Sequence, residues 1–185
     1  IHNSMKLYKQ IRSRSPHAQL VMHLHNAFEP GELDKNAKII VPSQFLFDFY
    51  SEKMPDANIA IVPNGFCSES YEQNNTEDLR QKLNIDANDT VLLFAGRISP
   101  DKGCLMLMEA FNQLNKIQDN LKLVIVGDPF ASKKGEKAEY QKKVLDAAKA
   151  IGAQCIMAGG QPPEQMHNYY RLACLLYTSD AADEL

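Results

Sequence analysis

From residue 79 to residue 173, short apolar runs alternate with longer amphipathic stretches, and no other feature restricts the fold so strongly. The periodicity predicts helices over 79–83, 103–117, 137–151 and 164–173, with strands over 90–95, 121–126 and 153–158 between them. Strands separated by helices of that length cannot pair as hairpins, because the chain must travel back before the next strand begins. They pair in parallel through right-handed crossovers, so the expectation is an α/β fold with helices covering a parallel sheet. In helix 103–117, Cys104, Leu107, Phe111 and Leu114 recur at steps of three and four, and Tyr140, Val144, Ala147 and Ile151 do the same in 137–151. Each set lines one side of its helix and is expected to face the core.

The first 65 residues alternate as well, with strands expected over 19–24, 38–41 and 58–62 and helices over 5–14 and 44–53. Ser43 is suited to cap the second helix, whose Phe45, Phe49 and Tyr50 share a side. Pro63-Asn64-Gly65 ends the third strand abruptly, and the polar stretch 66–77 has no hydrophobic period, so it reads as a connector. The organisation expected is therefore a first unit over 1–65, a connector over 66–77, a second unit over 78–173 and a tail over 174–185.

Composition limits the partners. Lys and Arg number 20 against 23 Asp and Glu, a net charge of −3, which argues against a broad nucleic-acid-binding surface, so an anionic ligand must be held locally. Cys67, Cys104, Cys155 and Cys174 lie far apart without a CxxC pair, which points to free, mostly buried thiols in a reducing cytosol rather than to a zinc site or a disulfide framework. No run approaches the roughly 18–20 apolar residues of a membrane span, and Ile1-His2-Asn3-Ser4 has no signal-peptide profile, so the natural chain is expected to begin upstream.

The densest chemical signal is Phe94-Ala95-Gly96-Arg97-Ile98-Ser99-Pro100-Asp101-Lys102-Gly103. A buried strand stops at Gly96, where the backbone can approach a ligand closely, and two cations follow on a turn that opens a helix. Arg97 can fork two phosphate oxygens, Lys102 adds a compact charge, and the helix amides add a positive end. A diphosphate suits such a site; chemistry alone allows a solvated surface turn equally well. No GxGxxG follows any strand, which argues against a dinucleotide oxidoreductase. At the end of strand 19–24, alternation places His23 and His25 on one side, and His2 stands near the start of the chain. The ordinary reading for both strand-end histidines is a satisfied or solvated side chain.

Phe94-Ala95-Gly96-Arg97, with Lys102-Gly103 and Glu109-Ala110-Phe111 behind it, resembles the donor-diphosphate motif of the family 4 retaining glycosyltransferases. Ile61-Val62-Pro63-Asn64-Gly65-Phe66 resembles that family's interdomain signature, and Leu123-Val124-Ile125-Val126-Gly127-Asp128 its next strand and turn. Met157-Ala158-Gly159-Gly160-Gln161-Pro162, followed by Tyr169-Tyr170-Arg171-Leu172-Ala173, is similar to the loop and helix after that. The order of the four segments makes the resemblance specific. The stretch from Lys133 to Gly160 is similar to the bacterial α-1,2-N-acetylglucosaminyltransferases of the lipopolysaccharide outer core.

The resemblance implies a GT-B fold of two Rossmann-like units, both truncated here, and transfer of a sugar from a UDP-sugar donor to the lipopolysaccharide core. It implies donor diphosphate binding by Gly96, Arg97 and Lys102, a donor-site loop with Gly160 and Gln161, and a catalytic role at the donor sugar for His25. His23 keeps its ordinary reading, and His2 is left unassigned. The resemblance implies no metal or other cofactor and a cytoplasmic enzyme with peripheral contact at the inner membrane. The family's acidic motif would follow residue 173, where the sequence instead runs Cys174-Leu175-Leu176-Tyr177-Thr178-Ser179-Asp180. Polar residues so close behind an apolar triplet predict that 174–185 makes no buried parallel strand, and the segment reads as a non-native tail. The alternative is a non-catalytic module that binds a nucleotide-sugar or phosphosugar.

Overall fold

The computed structural model describes residues 1–31, 33–65, 68–71 and 76–177. It divides into two compact units, Ile1–Phe66 and Cys67–Leu185.

In the first unit, α1 (Met5–Arg14) leads into β1 (Val21–His23), then β2 (Lys38–Val41), α2 (Gln44–Lys53) and β3 (Asn58–Ile61). The three strands pair in parallel in the order β1-β2-β3. Both helices start on a serine whose side-chain oxygen accepts an otherwise orphaned amide, Ser4 from Leu7 at 3.3 Å and Ser43 from Leu46 at 3.4 Å. The apolar interior joins Met22, Ile39 and Val41 of the strands to Tyr8 of α1 and to Leu46 and Tyr50 of α2. The predicted face of α2 is corrected at Phe45, which is 69% exposed. Leu46 and Tyr50, four residues apart, take the inward stripe, and Phe45 lies about 100° round the helix from Leu46.

The second unit opens with a 3₁₀ turn over Ser68–Tyr71, inside the stretch read as a connector, and α3 (Thr76–Lys82) starts at that stretch's end. Then follow β4 (Thr90–Ala95), α4 (Cys104–Leu114), β5 (Leu121–Val126), α5 (Glu136–Ile151), β6 (Cys155–Gly159), α6 (Pro163–Leu172) and β7 (Leu175–Tyr177). All pairings are parallel and the order is β6-β5-β4-β7. The chain moves outward from β4 through β5 to β6, then returns to the other side of β4. Right-handed crossovers in opposite directions put their helices on opposite faces. Accordingly, Leu92, Phe94, Leu123 and Ile125 pack with Cys104, Met108, Phe111 and Val144 of α4 and α5, while Val91, Leu93, Val124 and Val126 pack with Tyr169 and Leu172 of α6. Both sides of β4 and β5 are thus covered, which is why their sequences are continuously apolar. Burying each large side chain here stabilises the unit by about 1.5–3 kcal/mol.

In this unit one expectation is corrected and another, that 174–185 makes no buried parallel strand, holds for burial but not for pairing among the described residues. Leu114, assigned to the inward stripe of α4, is 44% exposed, because the helix ends there and Asn115 caps it. Leu175–Tyr177 does form a parallel strand, with Leu92 opposite Leu175 and Phe94 opposite Tyr177. It lies at the end of the strand order with Leu175 and Leu176 exposed, so the desolvation invoked against burial is largely avoided. Tyr177 secures it, lying 6.1 Å from the Phe94 ring in a stacked arrangement and packing against the interior beside α4. Thr178–Leu185, where the remainder of the tail falls, lies outside the described residues. Of the cysteines expected to be mostly buried and free, Cys104 is buried, Cys155 half-buried and Cys174 exposed, all three as free thiols, and Cys67 lies outside the described residues.

Candidate functional site

A cavity of about 410 Å³ sits over the carboxyl ends of β4, β5 and β6 and gathers Gly96, Arg97, Gly160 and Gln161, four of the residues singled out from the sequence. Each strand ends in glycine or runs into it. The Gly96 amide donates to the Val126 carbonyl at 3.0 Å, and the Gly127 amide donates to the Gly159 carbonyl at 3.0 Å, so the three strand ends are stitched together at the cavity floor. Gln161 donates through Nε2 to the Ala158 carbonyl at 2.6 Å, which folds the loop back toward its own strand.

Arg97 stands in this lining with its side chain 73% exposed. It is ion-paired with Asp101 at 3.5 Å, four residues along the chain. Both groups are open to water, where an ion pair adds little to stability, so an anionic ligand can displace the carboxylate. Lys102 is half-buried on the 3₁₀ turn Pro100–Lys102 and is not among the residues that line the cavity. Gly103 follows at φ 64°, a conformation open to glycine, and turns the chain into α4. At that helix's amino end the Leu105 amide is already taken by the Tyr140 hydroxyl at 3.1 Å, which reduces the positive end expected there.

Two further lining residues were not assigned to the site from the sequence. Gln141 is buried in α5, where its Oε1 accepts from the Ser132 amide at 3.2 Å and its Nε2 donates to the Ile98 carbonyl at 3.3 Å. It therefore ties the turn after β4 to the turn after β5. Asp128 accepts from the Phe130 amide at 2.8 Å, holding the second turn, and lies against Gly160. A glutamine on a helix otherwise rich in Lys and Glu has no periodic signature, whereas Asp128 was visible as part of the Gly-containing turn.

In the first unit, His25 lies among histidines. The ring centroids of His23 and His25 are 4.2 Å apart, and those of His2 and His25 4.7 Å. The backbone builds this cluster: Asn3, at φ 46°, sends its amide to the His23 carbonyl at 2.8 Å, and its Oδ1 accepts from the His25 amide at 3.1 Å. Burial, together with the neighbouring His25 and His2, pushes the His23 imidazole below its ordinary pKa and favours its neutral form. His23 and His2, which sequence reasoning set aside, thus share one cluster with His25.

A parallel sheet covered by helices on both faces, with a cavity over its strand ends, makes the second unit a doubly wound α/β domain. The family described as glycosyl transferases group 1 matches residues 75–182, and the chain belongs to that family. Over 184 residues and its whole length, the chain is 65% identical to the lipopolysaccharide 1,2-N-acetylglucosaminetransferase of Salmonella typhimurium, of which it covers 48%. It therefore spans about half of that relative. The alpha-monoglucosyldiacylglycerol synthase of Streptococcus pneumoniae is 26% identical over 78% of the chain and 32% of its own length. Among solved structures, a trehalose-phosphate synthase of Burkholderia vietnamiensis superposes with a TM-score of 0.71 at 14% identity, over 96% of this chain and 49% of that one. Anabaena HepE, in complex with UDP and glucose, superposes at 0.66 and 20% identity, over 92% and 48% of the two chains. These likenesses identify the fold as that of GT-B glycosyltransferases, and the chain spans about half the length of those solved chains. No helix among the described residues is long and apolar enough to cross a membrane.

Proposed function

We propose that this chain is part of a retaining glycosyltransferase that moves N-acetylglucosamine from a UDP donor to the lipopolysaccharide core. The observation that carries the reading is that Gly96, Arg97, Gly160 and Gln161 meet at one cavity over the strand ends of a chain 65% identical to a lipopolysaccharide N-acetylglucosaminetransferase. Transfer leaves negative charge on the departing diphosphate, and catalysis requires fixed positive groups where that charge develops. Arg97 grips the diphosphate once Asp101 is displaced, the glycine ends let phosphate oxygens approach the backbone, and Lys102 adds positive field one turn away. These fixed cations serve in place of a bound metal ion. His25 is the catalytic residue contributed by the first unit, acting at the donor sugar. The lipid-linked acceptor brings the enzyme to the cytoplasmic face of the inner membrane by peripheral contact.

The test compares the 185-residue chain with the longer natural protein, using UDP-N-acetylglucosamine and a truncated lipopolysaccharide acceptor. Turnover is expected from the longer protein and not from the chain, because donor, acceptor and charge-stabilising groups must be held together. Inactivity of the longer protein with every UDP-sugar, alongside retained UDP binding, would replace this reading with that of a binding module.

A further inference from the structure

We propose that His2, His23 and His25 form a binding site for one divalent transition-metal ion of the zinc, cobalt or nickel type. The nearest-placed ring nitrogens of the three all lie within 4.8 Å of one another. Zinc holds imidazole nitrogen at about 2.0–2.1 Å, so ring rotations closing the set by on the order of 1 Å bring all three onto one ion. The Nε2 atoms of His23 and His25 are buried and have no hydrogen-bond partner among the described residues. A buried polar nitrogen without a partner is unfavourable, and an ion coordinated through Nε2 of both rings would satisfy the two together.

The backbone that carries the rings is fixed rather than adventitious. His2 bridges to His23 in parallel, so two adjacent strand positions present their rings side by side, and His25 follows two residues along the same strand line. Asn3 locks the arrangement from both sides, through its amide to His23 and its side chain to the His25 amide. His2 is exposed while the other two are half-buried, which leaves a fourth position open to water, as in sites with three protein ligands. Three imidazoles select borderline ions over Mg²⁺ or Ca²⁺, which require oxygen ligands.

An ion held here occupies the imidazole of His25. On the function proposed above, it therefore inhibits transfer; that consequence rests on that reading, whereas binding does not. The experiment is a Co²⁺ titration of the full 185-residue chain with the Ile1 amine acetylated, followed by visible absorption and by proton NMR of the five histidines. Expected is one Co²⁺ per chain, displaced by Zn²⁺ and unaffected by Mg²⁺. Paramagnetic effects should be confined to His2, His23 and His25, with His17 and His167 as internal controls. His2→Gln, on an exposed residue, should weaken binding by on the order of tenfold or more, and the His2→Gln/His23→Gln pair should abolish it. Unchanged affinity in the double variant, or equal effects at His17 or His167 in the unsubstituted chain, would overturn the site. In the longer enzyme, Zn²⁺ should lower turnover at the concentration that fills the site. Occupancy without inhibition would instead remove His25 from the transfer reaction and leave the metal site standing.

Discussion

Gly127 stands so close to Gly96 that a Cβ on Gly127 would run into the Gly96 carbonyl oxygen. The two residues end adjacent parallel strands, and their contact sets how tightly the cavity floor closes. A Cβ on Gly96 itself would meet nothing nearer than the Phe94 ring at 3.8 Å, an ordinary contact. Gly127→Ala should therefore destabilise the second unit by about 1–3 kcal/mol, the usual range for overpacking. Gly96→Ala should stay within about 0.5 kcal/mol, as an unstrained substitution does. Denaturant unfolding of the two variants checks the contrast. Equal destabilisation would mean that the strand ends can spread apart.

Arg97 and Asp101 form an exposed pair four residues apart, so neither matters much to folding. Arg97→Ala should change stability by less than about 1 kcal/mol, while lowering UDP affinity and, in the longer enzyme, turnover. Asp101→Asn removes the competing carboxylate and should raise UDP affinity modestly at low salt. Calorimetric titration with UDP at two ionic strengths measures both effects. Screening should weaken binding to the unsubstituted chain more than binding to Arg97→Ala.

Gln141 holds two turns at once through a buried side chain. Gln141→Leu fills a similar volume but leaves the Ser132 amide and the Ile98 carbonyl without their partner. The expected loss is about 1–3 kcal/mol for the group left unsatisfied. UDP affinity should fall with it, because both turns line the cavity. A melt and a UDP titration of the variant check the prediction together. Loss of stability with full affinity would show that Gln141 supports the fold without positioning the site.

The element order was legible because each element obeys its own local rule. Ser43 caps α2 as expected, and the apolar sequences of β4 and β5 match strands covered on both faces. Departures arose where a tertiary partner decided the outcome. Residues 175–177 form a strand because Tyr177 finds Phe94 and β4 has an open side, and a local pattern shows neither. Leu114 and Phe45 were misplaced because an apolar residue at a helix end can satisfy the period and still point past the core. At the site, Gly96, Arg97, Gly160 and Gln161 were legible from motifs at strand ends, and the cavity gathers them. Gln141 was not, since its role depends on two backbone groups distant in sequence. His2 was not either, because its ring meets His23 and His25 only through parallel pairing across 20 intervening residues.

Cys104 is buried at the start of α4, and burial, with Cys155 nearby, pushes its thiol from 9.0 up to about 12. Burial likewise pushes Cys155 from 9.0 to about 11. The unfolded chain gives up each proton near 9.0, whereas the folded unit keeps it to higher pH. Between those values the unfolded state binds fewer protons, so stability is fully present below pH 9.0 and falls as pH rises above it. Lysines titrate in the same range, which makes the comparison with Cys104→Ala necessary. That variant is less stable at neutral pH but loses less between neutral pH and pH 10.5, an interval chosen to span roughly the unfolded thiol and lysine values. Thiol alkylation gives an independent measure. Cys174, which is exposed, should react with an alkylating reagent in the folded chain while buried Cys104 stays protected until the unit opens. Mass spectrometry of the alkylated peptides reads both sites at once. Labelling of Cys104 as fast as Cys174 would show that the α4 end opens far below the global unfolding free energy.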